Sequence, residues 1–171
     1  MKQNKPCPGP PDWSEEFYRH HAHRYSDVAH QLLQAFYTRS SHPALKEDFD
    51  LLDRLVQLAP GRRGLDAGCG AGARDVHRLW TQGFDVYGID AVEETTQLAK
   101  EIHPEISDRV SVANLGLPLE YPDESFDFVI CDAVIQHIEP ADLMGVTLKE
   151  FARILRPDGV FPFTFTMSRK F

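Results

Sequence analysis

The chain of 171 residues is poor in cysteine: Cys7, Cys69 and Cys131 stand apart, with no CxxC pair among them. Three scattered thiols build neither a disulfide framework nor a cysteine-rich zinc site. They fit a reducing compartment, so a cytoplasmic protein without a bound metal is expected. Basic runs are also missing. Lys and Arg number 18 against 26 Asp and Glu, a formal net charge of -8. An acidic surface argues against non-specific binding to nucleic-acid phosphates. No apolar run approaches bilayer-spanning length, so no membrane contact is expected. The start lacks the apolar stretch of a secretion signal. Residues 1–11 instead carry Pro6, Pro8, Pro10 and Pro11 and read as a flexible lead-in.

What is present fits one globular domain over residues 12–171. Hydrophobic residues make up 42% and charged residues 26%, an ordinary balance for a chain that buries a sizeable core. Residues 13–38 are helical in rhythm, with Phe17, Tyr25, Val28, Leu32 and Phe36 at three- and four-residue steps. A further helix follows Pro43, with Leu45, Phe49, Leu52, Leu55, Val56 and Ala59 on its apolar face, and Pro60-Gly61 stops it. These N-terminal helices occupy residues 12–60.

From there the pattern alternates between strand and helix. Strands are predicted at 63–67, 84–90, 109–113, 126–131 and 160–166, and helices at 73–81, 93–103 and 141–155. Gly83, Pro104 and Pro157-Asp158-Gly159 act as the stops. Alternation of this kind predicts an α/β fold with an open, mostly parallel five-stranded sheet. Its core would occupy residues 62–166.

The most informative run is Gly64-Leu65-Asp66-Ala67-Gly68-Cys69-Gly70-Ala71-Gly72. A strand end, a glycine turn and a helix start build the nucleotide cleft of open α/β sheets. Asp90 ends the second strand about 20 residues on, where a ribose-binding acid belongs. It also stands where a helix N-cap would. The glycines alone fit a dinucleotide such as NAD as well as other adenosine ligands. Asp66 separates them. A carboxylate two residues before the first glycine repels a pyrophosphate but attracts a cationic ligand. Its competing role is to cap its own turn.

These blocks resemble the class I S-adenosylmethionine-dependent methyltransferases of the small-molecule type, over roughly residues 43–166. LDAGCGAG (65–72) is similar to the first cofactor motif and VYGID (86–90) to the second strand. LPLEYPDESFDFVICD (117–132), VIQHI (134–138) and FARILRPDGVF (151–161) resemble the blocks around the fourth and fifth strands. The resemblance implies a Rossmann-like sheet in the order 3-2-1-4-5 and S-adenosyl-L-methionine as cofactor. It implies that Asp66 holds the methionine ammonium and that Gly68, Cys69 and Gly70 bring backbone against the cofactor. Asp90 would take the ribose, Ala91 and Val92 would flank the adenine, and Asn114 and Leu115 would reach it from the other side. Cys131 and Asp132 would line the methionine end. Arg74 would pair with the methionine carboxylate or with neighbouring Asp75. Tyr25 would close over the cofactor or pack its helix onto the sheet.

The implied reaction is methyl transfer to a small-molecule acceptor by in-line displacement, in which the protein mainly aligns the reactants. His137 is the candidate base, against a packing role beneath its loop. The run Arg19-His20-His21-Ala22-His23-Arg24 reads as an exposed helix surface rather than a metal site. The family continues past the fifth strand into a strand pair that this chain lacks, so the fifth strand is expected at an edge, with Pro162 tolerated there. A homodimer through that edge is one expectation. Two other functions remain open: a non-catalytic S-adenosylmethionine-binding module and an NAD-binding oxidoreductase.

Overall fold

The computed structural model describes residues 46–164. Tyr25 and the run from Arg19 to Arg24 lie outside them. The elements are α1 (Lys46–Leu58), β1 (Arg63–Ala67), α2 (Arg74–Thr81), β2 (Asp85–Asp90), α3 (Glu93–Ile102), β3 (Val110–Val112), β4 (Phe126–Ile130), α4 (Pro140–Asp142), α5 (Leu148–Ile154) and β5 (Leu155–Val160). The strands pair in parallel, as the alternation predicted, in the order β3-β2-β1-β4-β5 that the resemblance implied. Helices α1 to α3 cover one face through Leu52, Leu55, Val76, Leu79 and Ala99. The other face is closed by Phe151 and Ile154 of α5.

A sheet covered on both faces selects apolar strands, and all five residues of β4 are buried. Gly64 of β1 sits opposite Phe128. A methyl group there would lie 1.9 Å from the Phe128 ring, so glycine lets that ring lie across β1. Next to that ring, β4 is pinned by Asp127. This buried carboxylate accepts the Arg63 amide at 2.9 Å and pairs with Arg156 at 2.6 Å. Helix α2 ends at Gly83, with φ 82, as expected.

Three local expectations need correction. Val56 is 41% exposed, so the buried stripe of α1 runs through Leu52 and Leu55 without it. The helix predicted over 141–155 is broken: a π-helical turn, Leu143–Thr147, separates α4 from α5. There the Thr147 hydroxyl donates to the Leu115 carbonyl at 2.8 Å, and the extra turn residue accommodates that reach. The fifth strand begins at Leu155, five residues earlier than predicted. Leu155 pairs with Phe126 and Val160 with Phe128, so the residues between them bulge out, with Asp158 at φ 68. Arg156 bonds the Glu124 carbonyl and Asp127, which holds the bulge to β4. Pairing resumes where the Cys131 amide donates to the Pro162 carbonyl at 3.1 Å. Among the described residues β5 is an outer strand of the sheet.

Candidate functional site

The carboxyl ends of β1, β2 and β4 converge at one edge of the sheet, where ligands of open α/β folds bind. The chain leaves β1 through the glycine turn. Gly68 has φ 96 and Gly70 φ 66, a region that favours glycine. A Cβ on Gly68 would collide with Val134 at 2.3 Å, whereas Gly70 and Gly72 face open space. The amides of Gly68 and Cys69 both donate to the Ile89 carbonyl, at 2.8 and 3.0 Å, which ties the turn to β2. Cys69 presents backbone to the turn. Its side chain packs towards Gly88, and burial pushes its thiol well above the ordinary range.

Asp90 joins two loops. One carboxylate oxygen accepts the Gly70 amide at 3.1 Å and the other the Val92 amide at 3.0 Å. Burial raises its pKa, and these amide bonds oppose the rise. Ala91 is half-buried, while Val92 is buried at the start of α3. Across the site Asn114 is exposed and its side-chain oxygen accepts the Gly116 amide at 2.8 Å. Leu115 is buried, with its carbonyl held by Thr147.

Asp66 lies at the tip of β1, only 4% exposed. Burial first, then the charges of Asp75 and Asp132, push its pKa well above the usual carboxylate value. Arg74 opposes them. Arg74 bonds Asp75 through two nitrogens, at 2.5 and 3.1 Å, and reaches Asp132 at 3.5 Å. The pairing with Asp75 is thus the alternative the structure shows, and Asp132 is a second partner. Asp132 also accepts the Thr164 hydroxyl. Cys131 is fully buried below the tip, and its thiol is pushed up to about 12 by burial. His137 ends a short 3-10 turn after β4. Its half-buried imidazole is held below the usual value by desolvation, and so is neutral at pH 7.

Sequence reasoning named most of these positions but missed two partners. Asp75 was read only as a neighbour of Arg74, although its acidic side chain on the first turn of α2 points to a site at the helix start. Thr164 belongs to an alternating Phe-Thr run that signals only a strand.

The arrangement is a strongly acidic pocket rim with glycine-lined backbone and one cation, Arg74, bridging two of its acids. It suits a ligand that brings positive charge and an adenosine-like body. Residues 65–163 match the protein family described as a methyltransferase domain. The chain is 29% identical over 134 residues to phosphoethanolamine N-methyltransferase 3 of Arabidopsis thaliana, covering 74% of this chain and 24% of that protein. It is 28% identical over 153 residues to the methyltransferase GfsG of Streptomyces halstedii, covering 79% of this chain and 54% of that one. A solved SAM-dependent methyltransferase from Methanosarcina mazei superposes with a TM-score of 0.56 and 26% identity, over 64% of this chain and 55% of its own. The chain thus spans about a quarter to a half of the length of these curated relatives. Fold, site and family match agree, and the chain belongs to the class I S-adenosylmethionine-dependent methyltransferases.

Proposed function

We propose that the protein binds S-adenosyl-L-methionine at the tips of β1, β2 and β4 and transfers its methyl group to a small-molecule acceptor. The observation that carries this reading is Asp66: a carboxylate only 4% exposed at the tip of β1, flanked by Asp75 and Asp132. Such a group calls for a cation, and a dinucleotide would bring a diphosphate instead. In this reading Asp66 receives the ammonium of the cofactor's methionine part. Asp90 offers its remaining lone pairs to the ribose. Ala91 and Val92 lie to one side of the adenine, with Asn114 and Leu115 to the other. Gly68, Cys69 and Gly70 supply close backbone, and Arg74 and Asp132 border the methionine end. When bound, the cofactor supplies a methyl group already activated by its sulfonium.

The protein's own work is then alignment and exclusion of water. Where the acceptor carries a proton on its nucleophilic atom, neutral His137 accepts it. Support for a small acceptor comes from relatives named for phosphoethanolamine. Among the described residues no helix is long and apolar enough to cross a membrane. A cytoplasmic setting is part of the same proposal, supported by free Cys69 and Cys131. So is a second copy paired along the outer strand β5. Sedimentation showing a monomer at high concentration would remove that last element alone.

Calorimetric titration tests the main reading. S-adenosylmethionine and S-adenosylhomocysteine should each bind once per chain, and NAD should give no heat. Transfer of a labelled methyl group across a panel of small acceptors then tests turnover. Binding of NAD alone overturns the assignment, and cofactor binding with no acceptor methylated overturns the enzymatic part.

A further inference from the structure

Three side chains outside the cofactor site meet between α2 and the end of α3. His77 lies on α2, His103 caps α3, and Glu105 stands in the 3-10 turn that follows, Pro104–Ile106. His77 Nε2 is 2.8 Å from Glu105 Oε1, and His103 Nδ1 is 3.6 Å from the same oxygen. The three donor atoms all lie within 4.8 Å of one another. A tetrahedral zinc ion with bonds of about 2.0–2.1 Å holds its ligand atoms roughly 3.4 Å apart, so these separations bracket a coordination shell.

We infer that His77, His103 and Glu105 form a binding site for one divalent ion of the zinc class, which braces α2 against the end of α3. The donor set selects the ion. Two imidazole nitrogens and one carboxylate suit zinc, cobalt or nickel, whereas magnesium and calcium favour oxygen shells. The backbone places the ligands firmly. The His77 amide donates to the Ala73 carbonyl at 2.9 Å, and the His103 amide to Ala99 at 2.9 Å. The imidazoles stack face to face, with centroids 3.9 Å apart and planes 13° apart. Parallel rings do not aim both lone pairs at one point, so coordination opens the stack by side-chain rotation. Their exposures of 30% and 22% leave room for that movement and for water as the fourth ligand.

This site is separate from the cofactor reading. Helix α3 carries ten residues between Val92 and His103, a rise of about 15 Å. No sequence motif marks it, because the two histidines are 26 positions apart and meet only through packing.

Trp80 provides a reporter, with its ring 6.2 Å from that of His77. The full chain carrying Trp13→Phe keeps Trp80 as its single tryptophan. Titration with cobalt ions should quench its fluorescence to saturation at one ion per chain, and excess zinc should restore it. In this background His103→Ala and Glu105→Gln should each weaken half-saturation at least about tenfold, the loss that even an outer-shell partner causes. Replacing His20, His21 and His23 by Ala together should leave it unchanged. Glu105 is exposed, so Glu105→Gln keeps the fold and decides the question where His103→Ala does not fold. Non-saturating quenching, full affinity in the Glu105→Gln protein, or loss in the triple variant overturns the site.

Discussion

A buried carboxylate beside two others is costly to keep ionised, and Asp66 makes that cost measurable. Its folded pKa lies above the unfolded value of about 3.9. Such a group supports the fold fully only below the unfolded value, and its contribution is lost as pH rises through the folded pKa. Asp66→Asn removes that loss. Denaturant melts over a pH series should therefore show the variant gaining on the wild type from about pH 4 upward. A constant difference across the series would refute this. The same substitution should weaken S-adenosylmethionine binding at least about tenfold, ~1.4 kcal/mol, because the amide offers the ammonium no charge. His137 gives a second residue-scale test. With its imidazole pKa lowered, the acid limb of the rate profile should fall below about pH 6.5. His137→Gln should abolish that limb for acceptors that must lose a proton, and an unchanged profile would leave His137 a packing residue. The site was legible in the sequence where a lone charge or glycine stood at a strand end: Asp66, Gly68, Gly70, Asp90. It was not legible where a contact joins distant segments, as Thr164 joins Asp132. Nothing in a Phe-Thr alternation says which threonine faces an acid.

The elements were read most surely where a stop residue and a period agreed. Strand β1 and the ends of α2 came out as expected because Asp66-Ala67-Gly68 and Gly83 leave few alternatives. Strand β5 was misplaced because Pro157-Asp158-Gly159 is ordinary turn chemistry, and sequence does not distinguish a turn between elements from a bulge inside one. What decides is the buried Asp127, which draws Arg156 onto β4 and keeps the flanking residues paired. The loop before β4 is fixed similarly by Arg153. Its guanidinium bonds the carbonyls of Leu119 and Tyr121 and the carboxylates of Asp123 and Glu150, at 2.7 to 3.0 Å. Arg153→Ala should cost about 1–3 kcal/mol in urea unfolding, since two carbonyls and the Glu150 carboxylate lose a charged donor. Arg153→Lys should recover only part, lacking the planar fork. Equal stability of all three proteins would show the network to be ornamental. At the sheet centre Gly64→Ala should also cost about 1–3 kcal/mol, because the new methyl meets the Phe128 ring.

At the scale of the molecule, the candidate site is made by segments that the sheet alone holds together. The turn after β1 hangs on Ile89 and Asp90 of β2, and the loop after β4 packs Val134 onto Gly68. A ligand seated there contacts three strand tips at once and binds only the folded arrangement. At a hundredfold excess over its dissociation constant it adds about 2.7 kcal/mol, which for a chain of this size raises the melting temperature by roughly 5–10 °C. Part of that gain is ionic. The cluster of Asp66, Asp75, Asp90 and Asp132 lies in a chain of net charge -8, so it draws a cationic ligand and the shift should shrink as salt is added. Ligand binding also favours the ionised form of Asp66, so complex formation should release a proton. Calorimetry in buffers of different ionisation enthalpy measures that release. It should be largest where apo Asp66 is still protonated, decline toward higher pH, and vanish in Asp66→Asn. A wild-type complex that forms with a salt-insensitive shift and no proton exchange would mean that the carboxylate at the tip of β1 is not what the ligand meets.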